Sequence, residues 1–491
     1  MMSQDILAEI VAKRKADMER LGISFGMNRP QRNRPLHPFI ESPGTILEIK
    51  RSSPSKGNIA MNLDPKATAK KYADAGTSAI SVLTEPNYFH GSLADLEYVA
   101  SGAPDVAILR KDFLLDPEEI DVAYDFGADA VLLIARILPD ETLRKMAGRT
   151  RELGMTPFVE VRTEDDLRKL KLVQKDGATV AGVNARDLKT FAMDPLVPAA
   201  FRKHLGQRAV FESGILSPED AAFARRLGFE GILVGEAAAK NPDRAKNLVQ
   251  AFLDAKADRY GTFWKRIAED RETVRKKFPG KPLAKICGIT NAEDAKLASE
   301  LGANMLGFVF YAKSARTTSA RNVRKIAREL AERFGDARPL LVGVVAENGS
   351  PEETAALSLA NEGFLDGIQF HGCRASIPEN SDFGYYEAKR IHTEAQAEEI
   401  RRNHRFSCPR TLVDAYNPEL VGGTGLRIAN SLIDSVRQKN ALWMAGGISP
   451  ENIGEIIERF HPELIDLSSS LEESPGKKAH EKLLDFFKAI R

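Results

Sequence analysis

Short, almost unbroken apolar runs alternate along the chain with longer stretches whose apolar positions recur every three or four residues. Continuous apolar strands between amphipathic helices are what a parallel sheet covered on its outer face requires, because both faces of each strand are buried. The first half holds eight such runs, at 45–50, 79–85, 106–113, 130–135, 156–161, 180–185, 209–214 and 231–236. The second half holds eight more, at 283–288, 305–310, 340–346, 367–372, 385–391, 411–416, 442–447 and 464–470. Intervening helical stretches such as DPKATAKKYADAG and SPEDAAFARRLG open on Asp or Ser-Pro and close on glycine, the usual start and stop signals. Eight plus eight predicts an α/β chain of two tandem (β/α)8 barrels. A doubly wound sheet would need fewer strands and usually a glycine-rich loop after the first, which neither half has.

The expected division is 1–258 for the first barrel with an N-terminal helical extension and 259–491 for the second. The charged segment 254–282, ending in Pro-Gly-Lys-Pro, serves as a linker helix, because a linker needs solvation and a stop. Residues 1–43 precede the first strand and are expected either to cap one barrel end or to lie on the surface. A length of 491 residues agrees with two cores, since single domains rarely exceed roughly 250–300 residues.

Apolar residues make up 43% and charged residues 28%, with a net charge of +1, which predicts no general attraction to nucleic acid or membrane. Small molecules are the expected partners of a chain expected to be a monomer. The first 22 residues mix acids and bases unlike a signal peptide, and the most apolar run, 130–138, is broken by Arg136 and too short to span a bilayer. Cys287, Cys373 and Cys408 have no paired spacing, so neither a disulfide framework nor a zinc site is expected, in keeping with a reducing cytoplasm.

Active sites of such barrels lie at the carboxyl ends of the strands. There the first half puts Glu48 and Lys50, two apart and so on one side of their strand, with Lys111, Glu160, Asn184 and Glu212. An ion-pair network tying the barrel top together explains one Glu/Lys pair but explains six such positions poorly, and clustering of this kind shifts pKa values as acid-base chemistry requires. Ser213-Gly214 and Gly235-Glu236 stand after strands seven and eight, where this fold cradles phosphate on backbone amides; their plain reading is a strand-to-loop turn. The segment KRSSPSKG (50–57) adds hydroxyls, Ser53 among them, and two lysines.

EIKRSSPSKG, SVLTEPNYFHGS, LRKDFLLDPEEI, GVNARDL and FESGI resemble the motifs of indole-3-glycerol-phosphate synthase, in barrel order and over nearly all of 1–255. The resemblance implies closure of carboxyphenylamino-deoxyribulose phosphate into indole-glycerol phosphate with loss of carbon dioxide and water. It implies Lys111 as general acid, Lys50 on the carboxylate or phosphate end, and Glu160, helped by Glu48, as the acid-base group of dehydration. Asn184 and Arg186 would orient hydroxyl and anthranilate groups, with Glu212 in the same polar wall. Phe113 and Phe89 could wall the aromatic ring, although core packing is the commoner role of a phenylalanine. No cofactor and no metal is implied.

In the second half Cys287 and Asp414 stand at strand ends beside glycine- and serine-rich turns, which lifts them above a buried cysteine and a helix-capping aspartate. KICG, GFVFYAKSAR, QFHG, VD and GGTG resemble phosphoribosylanthranilate isomerase over about 283–491. The implied reaction is an Amadori rearrangement, with Asp414 as general acid on the ribose ring oxygen and Cys287 as general base at the adjacent carbon. Arg316 would meet the anthranilate carboxylate, and Gly423, Gly446, Gly447 and Ser469 would cradle phosphate. The base role calls for a lowered thiol pKa, which the cationic intermediate nearby could supply. Two departures stand out, LRIAN (426–430) where the family often has Phe-Asp-Trp, and Ser470 where many relatives have glycine. The alternatives are a histidine-pathway isomerase, which would use paired aspartates, and a catalytically dead or weakened second barrel that only binds a phosphosugar.

Overall fold

The computed structural model describes residues 6–40, 43–187, 191–377, 381–402, 405–415, 429–437 and 441–491. The chain divides into two compact units, Met1–Ala257 and Asp258–Arg491. Each contains one closed barrel of eight parallel strands alternating with helices. In the first unit the strands are β1 (Gly44–Ile49), β2 (Ala79–Leu83), β3 (Ala107–Lys111), β4 (Ala130–Ile134), β5 (Thr156–Val161), β6 (Val180–Asn184), β7 (Ala209–Glu212) and β8 (Gly231–Val234). Closure pairs β8 with β1, Leu233 opposite Ile46. In the second unit they are β9 (Leu283–Cys287), β10 (Met305–Phe310), β11 (Leu340–Val345), β12 (Gly367–His371), β13 (Gly384–Ile391), β14 (Thr411–Ala415), β15 (Trp443–Ala445) and β16 (Leu464–Leu467). There Leu467 stands opposite Ile286 at the closing seam.

All sixteen expected strands are present. Most stop short of the polar residues expected to end them, so that Asp112-Phe113 and Ser213-Gly214 already belong to loops. The helix signals act as read. Asp64 accepts a hydrogen bond from Ala67 N to start Pro65–Asp74, and Ser217 with Asp220 forms a capping box at the head of Pro218–Arg226.

The N-terminal extension serves both ends of its barrel, not one. Helix α1 (Ile6–Leu21) packs Leu7 and Ile10 into a cluster that includes Phe113. Its Arg14 donates to both carboxylate oxygens of Asp112 at 2.9 Å and pairs with Glu119, and Tyr88 Oη donates to Glu9 at 2.7 Å. These partners follow β2 and β3, so α1 lies by the carboxyl ends. Arg32 instead bonds Asp129 and the Ala128 carbonyl, each at 2.7 Å, and Arg34 bonds the Gly127 carbonyl at 3.1 Å, all just ahead of β4. The arginines thus satisfy carbonyls at the amino end, which apolar residues could not do.

The segment expected as a solvated link is mostly helix α2 (Arg259–Lys277), part of the second unit. Tyr260, Phe263, Trp264 and Ile267 are buried along it. The Trp264 ring lies 6.0 Å from Trp443 and that of Tyr260 5.1 Å from Tyr385, at the amino ends of β15 and β13. A buried aromatic of this kind contributes about 1.5–3 kcal/mol, enough to hold the helix against the barrel despite its charged outer face.

Candidate functional site

At the carboxyl end of the first barrel the expected charges meet. Lys111 Nζ donates to Glu212 Oε2 at 3.1 Å and lies 3.8 Å from Glu48 Oε2, while Lys50 Nζ donates to Glu48 Oε1 at 3.0 Å. Burial opposes the charge on Lys111, but Glu212, Glu48 and Glu160 together raise its pKa, so it holds its proton firmly. Burial pushes Glu48 up as well, and the two lysines more than offset it, leaving that carboxyl below its usual range. Glu212 goes the other way. Burial, with Glu160 and Glu48 adding to it against Lys111, pushes its carboxyl up to about 8. Its Oε1 is buried and has no hydrogen-bond partner. Gly235 leaves room for this group, since a Cβ there would stand 2.6 Å from Glu48 Oε1.

The remaining first-barrel residues border the same mouth. Ser53 lies in a short antiparallel ribbon, Ser52–Ser53 with Gly57–Asn58, and Arg186 Nη1 donates to Ser55 Oγ of that ribbon at 2.9 Å. Asn184 Oδ1 accepts from the Arg186 amide at 2.9 Å. Ser213 and Gly214 both have positive φ, which turns the chain sharply after β7, and Gly235 precedes the short helix Glu236–Lys240 after β8. Phe113 and Phe89 form a ring pair 6.1 Å apart with Lys50 Nζ 5.6 Å above Phe89, so they serve the core cluster and face the charged group as well.

In the second barrel Cys287, Arg316, His371, Asp414, Gly446 and Ser469 line one cavity of about 420 Å³. His371 Nε2 lies 3.2 Å from Asp414 Oδ2. Gly446 and Gly447 have positive φ after β15, and Ser469–Leu471 forms a tight helical turn after β16. Gly423 and residues 426–428 of LRIAN lie outside the described residues. Ser470 lines the cavity with its hydroxyl oxygen buried and without a hydrogen-bond partner.

Two features bear on the expected roles. Without a ligand, burial pushes the Cys287 thiol up and Lys285 and Lys478 offset this only in part, so any lowering has to come with the substrate. Arg316 Nε and Nη2 grip the Glu472 carboxylate at 2.8–3.0 Å. Sequence reasoning also missed a buried layer beneath Cys287. Lys285 Nζ lies 2.5 Å from Asp466 Oδ2 and 2.7 Å from Gln369 Oε1, and Gln369 Nε2 is 3.1 Å from His371 Nδ1. Burial pushes the Asp466 carboxyl up against the pull of Lys285. QFHG was noticed as a motif, but nothing marked its glutamine and histidine as interior. Among the described residues no group of three or more His, Cys, Asp or Glu is placed to hold a metal ion, and no helix is long and apolar enough to cross a membrane.

Comparison with known proteins assigns the two units. Residues 4–251 match the family of indole-3-glycerol phosphate synthase, and residues 284–489 that of N-(5'-phosphoribosyl)anthranilate isomerase. The chain is 30% identical to a multifunctional tryptophan biosynthesis protein of Phanerodontia chrysosporium, over 99% of this chain and 70% of that one. It is 31% identical to one of Phycomyces blakesleeanus, over 97% of this chain and 66% of that one, so it spans about two thirds of these relatives. An indole-3-glycerol phosphate synthase of Exiguobacterium sibiricum is 37% identical over 52% of this chain and all of its own length. The chain therefore belongs to the indole-3-glycerol phosphate synthase family in its first barrel and to the phosphoribosylanthranilate isomerase family in its second, a bifunctional enzyme of tryptophan biosynthesis.

Proposed function

We propose that the second barrel converts N-(5-phosphoribosyl)anthranilate to 1-(2-carboxyphenylamino)-1-deoxyribulose 5-phosphate. The first barrel then closes this product into indole-3-glycerol phosphate, releasing carbon dioxide and water. The observation that carries the reading is the ammonium of Lys111 held 3.1 Å from Glu212 and 3.8 Å from Glu48 at the barrel mouth. A proton donor set there, by the carboxyl ends of the strands, is what a carbonyl under attack by an aromatic carbon needs.

In this cyclisation Lys111 protonates the carbonyl oxygen, Glu160 with Glu48 moves the protons of dehydration, and Lys50 binds the carboxylate or phosphate end of the substrate. Asn184 and Arg186 orient the hydroxyl and anthranilate groups, Glu212 completes the polar wall, and Phe113 borders the ring. Backbone amides around Ser213, Gly214, Gly235 and Glu236, with Ser53, receive the phosphate.

In the isomerisation Asp414 protonates the ribose ring oxygen as the ring opens, and Cys287 takes the proton from the neighbouring carbon, giving an enol that becomes the ketone. Arg316 exchanges Glu472 for the anthranilate carboxylate. Gly423, Gly446, Gly447 and Ser469 cradle phosphate. Each site draws on residues of one unit only, which supports a chain that acts as a monomer; a cytoplasmic setting suits its free thiols. Purified protein given phosphoribosylanthranilate should lose anthranilate fluorescence and then form indole-glycerol phosphate. Binding without fluorescence loss would leave the second barrel as a phosphosugar-binding module.

A further inference from the structure

Lys285 and Asp466 form a charge pair that the proton transfers above do not use. They stand directly opposite each other across the β9–β16 seam, one layer deeper than Cys287. Lys285 Nζ is 2.5 Å from Asp466 Oδ2 and 2.7 Å from Gln369 Oε1, which also accepts from Tyr386 Oη at 2.9 Å. One Asp466 oxygen is thereby fixed in place.

The other is not. Asp466 Oδ1 is buried and has no hydrogen-bond partner, although the residue lines the cavity and is only 7% exposed. An ion pair that served packing alone would leave no carboxylate oxygen desolvated and unbonded beside a cavity, because such an oxygen loses its water with nothing in return. A ligand hydroxyl would complete it.

Which hydroxyl follows from position, and the choice rests on the proposed roles of Cys287 and the phosphate turns. On that reading Cys287 faces the second sugar carbon, and the phosphate end lies by the turns after β15 and β16. Asp466 stands on β16, which pairs with the strand carrying Cys287 and runs into the Ser469–Leu471 turn assigned to phosphate. The next carbon in that direction carries the 3′-hydroxyl. We propose that Asp466 Oδ1 accepts a hydrogen bond from the 3′-hydroxyl of the substrate, with Lys285 holding the carboxylate in place, so that Asp466 selects a ribose over a 3′-deoxy sugar.

The test compares phosphoribosylanthranilate with its 3′-deoxy counterpart in the unaltered full chain and in Asp466→Asn, following anthranilate fluorescence. In the unaltered chain the deoxy substrate should lose about 10- to 100-fold in kcat/KM, the range for a hydrogen bond to a charged group. In Asp466→Asn the natural substrate should fall by a similar factor, and removing the hydroxyl should then cost little more. Multiplying losses would mean that Asp466 acts through packing and would overturn the proposal, as would equal turnover of both substrates by the unaltered chain. If the unaltered chain isomerises neither, the parent reading of the barrel falls and takes this one with it. Should Asp466→Asn unfold because Lys285 keeps an uncompensated charge, the paired change Lys285→Gln with Asp466→Asn enters the same comparison.

Discussion

Lys111 Nζ donates to one oxygen of Glu212 at 3.1 Å while the other oxygen of that buried carboxyl has no hydrogen-bond partner, so a single side chain both anchors the ammonium and keeps one oxygen open to a proton or a ligand. Replacing Lys111 by alanine should cut cyclisation by about two to four orders of magnitude, the range for a lost general acid. Isomerisation should be unchanged. Glu48, Glu160 and Glu212 would then lack their central cation, and breaking a buried pair typically costs about 3–5 kcal/mol, so thermal unfolding should come earlier. Lys111→Arg separates the two effects, since a guanidinium restores charge but is a poor acid at neutral pH. Near-normal cyclisation by the alanine variant would remove Lys111 from the chemistry.

The pH profile of cyclisation should carry the mark of Glu212. Its carboxyl is raised from an ordinary 4.5 to about 8, so it is protonated below that pH and adds another negative charge beside Lys111 above it. Lys111 then gives up its proton less readily, and kcat should fall through about pH 8. Glu212→Gln should flatten that limb. For stability the sign is the same, because a raised carboxyl contributes fully below its unfolded value near 4.5 and loses that contribution as the pH rises through about 8. An unchanged alkaline limb in Glu212→Gln would assign the limb to another group.

Gly235→Ala makes a sharper test than a bulky substitution. Its φ is −101°, so alanine meets no backbone strain, and the added Cβ would lie 2.6 Å from Glu48 Oε1 and 3.6 Å from Lys50 Nζ. The Glu48–Lys50 pair must shift, and cyclisation kcat/KM should drop about tenfold or more, since an ångström-scale misplacement at a reacting centre can cost up to about 100-fold. The melting temperature should hardly move. A large fall in melting temperature with unchanged kinetics would make Gly235 a packing residue.

How far the sequence could be read depended on whether a residue acts through its neighbours along the chain or through distant ones. The strands were legible because parallel strands are buried on both faces, as all six positions of β1 are, and so are apolar at most positions. Glu48, Lys111 and Glu212 were legible because charge at the carboxyl end of an apolar run has few other reasons to be there. Lys285 and Asp466 were not, since a single polar residue inside a strand looks ordinary until closure brings together positions 181 apart. Arg316 was seen but its Glu472 partner, 156 residues on, was not. Helix α2 passed for a link because its seven lysines and arginines outnumber the six apolar residues buried along its inner face.

Dividing the chain tests whether the two activities are independent. The cut should fall before Asp258, whose Oδ1 accepts from Gly261 N at 2.9 Å and so caps α2. A fragment starting at 259 loses that cap, at a cost of about 1 kcal/mol, and should melt earlier than one starting at 258. Fragment 1–257 should carry out cyclisation alone and fragment 258–491 isomerisation alone. In the latter, Cys287→Ala and Asp414→Asn should each suppress turnover. A folded 258–491 fragment that binds substrate without isomerising it would point to LRIAN and Ser470 as the cause.

The arginines of the N-terminal extension fix an order of events during synthesis. Arg14 bonds residues 98 and 105 positions downstream, and Arg32 reaches Asp129, 97 positions on. At about 5–20 residues per second on the ribosome, α1 waits on the order of 5–20 s before its first charged partners have been made. Leu7 and Ile10 stay uncovered for that interval. The extension can dock only once β2 and β3, and for Arg32 the start of β4, are in place, so a segment translated ahead of these strands is fastened after them.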